Sequence, residues 1–464
     1  MSNELTWLPG WSLRSLMADG QVSPVEVVEH FLGRIAEHNE LLHAFQSIDE
    51  EGARQQAKQA EAAVLRGEEL GALHGVPLSV KEYIPVEGLP LRDSDGVDKG
   101  IAKHDALGVA RLRRAGAVIL GTNTAMGITQ ALLNPYNCDD EARNPWDASR
   151  VTGWSSSGGG SAAAAALVPI AIGNDGGGST RLPAAGAGVV GVHPTPGLVP
   201  DVNFDEPELV ALTQSSGPLC RNVMDAATVL QVMAGPDGRD FTCIKTEPSD
   251  YLAEIDLGVD GMRLAWTDDF GFASMYALAE SPRVIAGIRS GAYQFESLGA
   301  KVEPVPDICQ DFWDDYCITN YLFQIAMEVP KPTVEQWVRG IEGRNRTWSG
   351  FRRVLTDYDA LLCPTTQLLP RSVEDWSEAW LRDAEQYPHG TFAPTVTCGT
   401  HIFNWIGFPA VSVPCGFVDG LPVGLQIVGL PGSEGKLLRV ANSFQSAFPG
   451  TMAHPPIGYQ ARGA

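Results

Sequence analysis

"GWSSSGGGSAAAAALVPIAIGNDGGGSTRLPAA", residues 153–185, has to be a flexible linker, a phosphate cradle or a built catalytic site. A Gly/Ser linker is polar throughout, because only a solvated chain stays mobile. Here an apolar run, "LVPIAIG" (167–173), separates the two glycine clusters and reads as a buried strand. A phosphate loop of the GxxxxGK[ST] kind does not occur. "GAGVVG" (Gly186–Gly191) matches the GxGxxG spacing of a nicotinamide-dependent oxidoreductase, but it follows "RLPAA" rather than a strand, which favours close helix packing. Nucleophilic catalysis remains, though without a GxSxG elbow anywhere in the chain. No histidine has a neighbourhood that singles it out; His74 and His193 read as turn or core residues.

Outward from this stretch the chain alternates helices and strands. "SPVEVVEHFLGRIAEHN" has Ser23 as an N-cap, Pro24 at the first helical position and an apolar face of Val27, Val28, Phe31, Leu32 and Ile35. A second helix is expected over 51–66, stopped at Gly67. "GVPLSVKEYI" (75–84) reads as a short buried strand carrying Lys81 at its end. "LGVARLRRAGAVILGTN" from Leu107 reads as helix, glycine stop, strand and loop. "YDALLCPTT" adds a core strand, and "FPAVSVPCGFVDGLPVGLQIVG" a hairpin turning at Asp419-Gly420. Both ends of the chain therefore feed one sheet, and residues 1–464 are expected to form a single α/β unit. The region 200–353, richer in acidic and aromatic residues, is expected to be helical cover and pocket lining.

Composition bounds the function. Lys and Arg total 33 against 56 Asp and Glu, a formal net charge of -23, which repels a nucleic-acid backbone. Eight cysteines show no CxxC pair, no metal-ligand spacing with the histidines and no HExxH. A reduced, cytoplasmic chain with no metal and no cofactor is expected. No apolar run is long enough to span a membrane. A homodimer is left open.

A base other than histidine would have to activate serine. Lys81 closes an apolar strand, and desolvation there favours the neutral amine, a competent base. The residues alone favour the plainer reading, a strand-end lysine that reaches to water.

Across nearly the whole chain, "LHGVPLSVKE", "RNPWD", the serine and glycine block, "NDGGGSTRLPAAGAGVVGVHPT", "SSGPLCRNVMDAA", "YDALLCPTT" and "GFPAVSVPCGFVDGLPVGLQIVG" occur in an order that resembles the amidase signature family of serine hydrolases. The resemblance implies a mixed, twisted β-sheet wrapped by helices. It implies Lys81 as base, Ser155 as bridging serine after a cis peptide bond, and Ser179 as nucleophile. Gly176, Gly177 and Gly178 would present backbone N–H groups as an oxyanion hole. Asp175 and Arg181 would be the supporting pair, and Ser156 would hydrogen-bond within the relay.

The chain departs from the family pattern at Trp154, where glycine is usual before the bridging serine, and at His193, where lysine is frequent. The first departure makes Ser156 the alternative bridging residue. Trp313, Tyr316, Tyr321 and Phe323 are candidates to line a pocket. The substrate implied is a small amide or a carbamate, as in the aryl-acylamidase and urethanase-like branch. The alternatives are the amidase subunit of a glutamine-dependent tRNA amidotransferase, which works with partner subunits, and the oxidoreductase built on Gly186–Gly191.

Overall fold

The computed structural model describes residues 2–93, 96–125, 141–200, 213–319, 331–376 and 393–457. Eleven strands form one continuous mixed sheet. In chain order they are β1 (Phe45–Ile48), β2 (Pro77–Lys81), β3 (Val118–Asn123), β4 (Ile170–Asp175), β5 (Val190–His193), β6 (Ser215–Cys220), β7 (Arg263–Trp266), β8 (Lys301–Pro304), β9 (Ala360–Pro364), β10 (Ala410–Val418) and β11 (Leu421–Val428). Their spatial order is β1-β3-β2-β4-β6-β5-β10-β11-β9-β7-β8. β2 runs parallel to both β3 and β4, β7 runs parallel to β8 and β9, and the remaining pairings are antiparallel.

The local signals act where they were read. Ser23 starts helix Pro24–Leu42 with a full capping box, its hydroxyl and the Glu26 carboxylate each taking up a backbone N–H that a helix start leaves orphaned. Val27, Val28, Phe31, Leu32 and Ile35 of that helix are all buried. Helix Glu50–Arg66 ends at Gly67 with φ 67°, a left-handed cap that costs glycine nothing. Asp419 and Gly420 turn the β10–β11 hairpin with φ 52° and 78°, as a type I′ turn requires.

One expectation needs correction. The stretch 200–353 supplies three strands of the main sheet, β6, β7 and β8, alongside its helices. β7 and β8 are four residues each, too short for alternation to register. Gly186–Gly191, as expected, does not follow a strand. It runs off the end of helix Arg181–Ala187 through Gly188 (φ 74°) into β5, the reverse of a dinucleotide-binding turn. A Cβ on Gly191 would sit 2.9 Å from the Thr180 carbonyl, so this glycine serves helix–strand packing and the oxidoreductase reading falls.

The serine and glycine block is helix Ser157–Ala164, which packs on β2, β3, β4 and β6 and on helix Arg181–Ala187. Its glycines permit close approach. A Cβ on Gly158 would stand 2.5–2.7 Å from backbone atoms of Ala44 and Thr124, and one on Gly160 would stand 3.0 Å from the Pro183 carbonyl. Gly33, in helix Pro24–Leu42, has open space around it. Alanine at the two sites is therefore expected to have opposite effects. Gly33→Ala should stabilise by about 0.5–1 kcal/mol, whereas Gly158→Ala should destabilise by ~1–3 kcal/mol through overpacking against rigid backbone. Thermal melts of the two variants check the sign.

Candidate active site

Because β2 and β4 are parallel neighbours, Lys81 at the end of one and Asp175 at the end of the other face the same sheet edge. Ligand sites of open α/β sheets form at such carboxyl ends. Lys81 is 2% exposed, and its Nζ donates to Ser155 Oγ at 2.8 Å and to the Asn174 carbonyl at 3.4 Å. The strand-end lysine thus turns inward rather than to water.

Ser156 Oγ donates to the Asn174 carbonyl at 3.3 Å and accepts from the Asn174 N–H at 3.4 Å. It was expected to hydrogen-bond within the relay; instead it braces β4 and meets Lys81 only through the shared Asn174 carbonyl. Register favours Ser155 over Ser156 as the lysine's partner. The Cβ position of Gly173 lies 2.9 Å from Ser156 Oγ and 3.0 Å from Thr180 Oγ1, so the segments carrying Ser155 and Ser179 converge on one point of β4.

Among the described residues every peptide bond is trans, including Trp154–Ser155, which corrects the expected cis bond. The chain turns instead through two successive left-handed residues, Gly153 at φ 85° and Trp154 at φ 64°. A non-glycine residue there costs about 1–2 kcal/mol, less than the ~2.5–4 kcal/mol of a non-proline cis bond. The indole is 8% exposed and packs edge-on against Trp376 (centroids 6.1 Å apart) and His401 (6.4 Å). Contacts of this kind offset the strain.

The loop 176–179 is shaped from below by Asp175. Its carboxylate accepts from the N–H groups of Gly178 (2.7 Å) and Thr180 (3.2 Å) and from Arg181 Nε and Nη2 (2.9 Å each). Asn404 Nδ2 donates to the same carboxylate at 2.9 Å. Arg181, wholly buried, continues to Gln426 Oε1 (2.7 Å), Asn404 Oδ1 (2.5 Å) and the Thr400 carbonyl (3.3 Å). Burial alone would raise the Asp175 pKa; the adjacent Arg181 charge and the hydrogen bonds outweigh it and hold the carboxyl well below the usual range. The expected supporting pair is therefore present, in a fuller network than the sequence disclosed.

Gly178 differs from expectation. Its N–H is committed to Asp175, so it cannot also serve a reacting oxygen. The glycines are nonetheless forced at two positions. A Cβ on Gly177 would collide with the His401 ring, and one on Gly178, at φ 116°, with the Thr400 side chain; Gly176 alone has room.

His401 and Thr400 were not read from the sequence. Burial lowers the His401 pKa to about 3, and that of His193, which lies 3.8 Å from Asp175 Oδ1, also to about 3. Both imidazoles are neutral at physiological pH. Trp313 and Tyr316 are buried and meet the His401 ring edge-on at 5.6 and 5.0 Å, backing that ring, and neither lines the apolar cleft that includes Trp154. Tyr321 and Phe323 lie outside the described residues. A mostly apolar cleft is walled by Trp154, Leu182, Leu368 and Trp376; it includes Trp154, next to Ser155, but is lined by none of Lys81, Ser155, Ser179 or residues 176–178. A larger one lies by Ala187 and Gly188, at the far end of helix Arg181–Ala187, and is likewise lined by none of Lys81, Ser155, Ser179 or residues 176–178.

Among the described residues, no cluster of His, Cys, Asp and Glu could hold a metal ion, and no helix is long and apolar enough to cross a membrane. Seven of the eight cysteines are described, and all seven are free.

A buried lysine at the carboxyl end of β2 is thus bonded to Ser155, and β4, its parallel neighbour, leads into the glycine loop that carries Ser179. The family model described as Amidase matches residues 26–330 and 324–438. The chain is 31% identical over 479 residues to an acylamidase of Rhodococcus erythropolis, with 96% of each chain covered. It is 30% identical over 502 residues to a glutamyl-tRNA(Gln) amidotransferase subunit of Symbiobacterium thermophilum, covering 96% of this chain and 98% of that one. Among solved structures it is similar to a bacterial aryl acylamidase (TM-score 0.82, 24% identity, 97% of this chain and 98% of that one). It is also similar to 6-aminohexanoate cyclic dimer hydrolase complexed with substrate (TM-score 0.81, 26% identity, 97% and 99%). The chain belongs to the amidase signature family, and it is an amidohydrolase.

Removing one partner of a buried ion pair strands the other, a loss of ~3–5 kcal/mol. Asp175→Asn is expected to destabilise the fold by about that much, seen by denaturant or thermal unfolding. Because the folded-state pKa is depressed, this stabilisation is present above the unfolded carboxyl value of about 4 and is lost as pH falls below it. The variant should lack that part of the wild-type acid sensitivity.

Proposed function

We propose that this chain hydrolyses the C–N bond of a small amide or carbamate through an acyl-enzyme on Ser179, with Lys81 as base and Ser155 as proton relay. The observation that carries the reading is the buried 2.8 Å hydrogen bond between Lys81 Nζ and Ser155 Oγ. An amine that has shed its proton accepts the Ser155 O–H along this line, and Ser155 in turn accepts the proton of Ser179. Ser179 Oγ bonds to the carbonyl carbon. The relayed proton returns to the departing nitrogen as the C–N bond breaks, and water then cleaves the acyl ester by the same route. A carbamate attacked at the same carbon yields an alcohol, an amine and carbon dioxide. Trp154, adjoining Ser155, and Leu182, in the helix that follows Ser179, wall an apolar cleft, which favours a substrate carrying an apolar or aromatic group.

The similarity to glutamyl-tRNA(Gln) amidotransferase subunits supports a second reading, in which the chain works with partner subunits. Copurification of a stable partner would favour it.

Phenylmethylsulfonyl fluoride should label Ser179, mapped by peptide mass spectrometry; an adduct on another serine would remove the mechanism. Lys81→Met should abolish turnover of p-nitroanilide and carbamate substrates while leaving the thermal melt near wild type. Since His193 and His401 are neutral throughout the working range, His401→Gln should not remove any limb of the pH–rate profile.

A further inference from the structure

Thr400 occupies the N-cap position of helix His401–Ile406, where a threonine hydroxyl ordinarily accepts an N–H of its own helix. It makes no such bond. Its hydroxyl is directed across the molecule to the Gly177 carbonyl at 2.9 Å, 223 residues earlier in the chain. A longer contact, 3.2 Å, reaches the Thr397 carbonyl, which already accepts the Thr400 N–H at 2.8 Å, so the hydroxyl hydrogen is better used on Gly177.

The same peptide unit is held at its other end, where the Gly178 N–H donates to Asp175 Oδ1 at 2.7 Å. With carbonyl and N–H both committed, the Gly177–Gly178 peptide plane cannot rotate. The network also closes on itself: the Thr400 carbonyl accepts from Arg181 Nη1 and Nη2 at 3.3 Å, and Arg181 is paired with Asp175. No described residue accepts from the N–H groups of Gly177 or Ser179, which flank the pinned peptide on either side.

We infer that Thr400 is a positioning residue for the oxyanion-binding loop, holding the Gly177 carbonyl away from the substrate so that the N–H groups of Gly177 and Ser179 meet the developing negative charge. An unpinned peptide could swing a carbonyl oxygen toward that charge, which repels it. The inference rests on Ser179 being the nucleophile.

Three variants test it: Thr400→Val, which keeps the volume and removes the hydroxyl; Thr400→Cys, close in size with only a weak S–H donor; and Thr400→Ser, which keeps the hydroxyl. The readouts are kcat and KM on a p-nitroanilide, inhibition by phenylboronic acid, whose adduct on serine carries the tetrahedral negative charge, and the thermal melt. Direct loss of an oxyanion donor costs ~10²–10³ in kcat, so an indirect loss is expected at about 10–100-fold. Thr400→Val should show that fall in kcat with KM changed less than about threefold, and phenylboronic acid affinity should fall by a similar factor. Thr400→Ser should recover most of both. If the valine variant does not fold, the cysteine variant gives the same reading. Unchanged kcat and boronate affinity in a folded variant lacking the hydroxyl overturns the inference, as does a serine variant no better than valine. Labelling by phenylmethylsulfonyl fluoride separates the causes. An adduct on Ser179 with Thr400→Val fully active removes only the role of Thr400, whereas no adduct on Ser179 removes the nucleophile and this inference together.

Discussion

The Asp175 carboxylate, buried at the carboxyl end of β4 with Arg181 against it, is the interaction on which the geometry of the candidate site depends. An unpaired carboxylate at that depth would be several kcal/mol unfavourable, so its surroundings are built to satisfy it. Two of the groups that do so, the Gly178 and Thr180 N–H groups, belong to the loop around Ser179. Electrostatic satisfaction of one side chain therefore dictates the path of the backbone that presents the serine. Arg181 carries the same constraint outward to Thr400, Asn404 and Gln426, joining the C-terminal part of the chain to the loop.

Close backbone packing is the second constraint. The glycines of residues 158–160 look like flexibility when read as composition. In the structure they remove side chains from a helix wedged against the backbone of Ala44, Thr124 and Pro183. The helix is thereby held rigid, and with it the turn through Trp154 that delivers Ser155 to Lys81. Left-handed backbone at Trp154 is a local strain of the sort that persists where surrounding packing over-determines it, here through Trp376 and His401.

Much of this was legible beforehand, though unevenly. Caps, glycine stops and the Asp419-Gly420 turn are local signals and were read directly, as was the strand ending in Lys81. Periodicity left the direction of that lysine open, and pairing it with Ser155 and Ser179 came from resemblance to a family rather than from spacing. Trp313 and Tyr316, candidates either to line a pocket or to fill the core, back the His401 ring; an aromatic ring in a core and one in a pocket have the same sequence signature. Trp376, which does line the cleft, had no local mark at all.

By itself the sequence determined the α/β alternation, the chain's acidic character, and which serines and lysine were available for chemistry. These follow from residue type and short-range periodicity, which act within a few positions. Tertiary structure alone decided that Gly178 spends its N–H on Asp175, that Ser156 braces Asn174, and that Thr400 and His401 close over the glycine loop. Apart from the Gly178 bond, which joins residues three apart, these contacts span 18 to more than 200 residues. A hydroxyl or an imidazole in a sequence carries no record of which distant backbone atom it will meet.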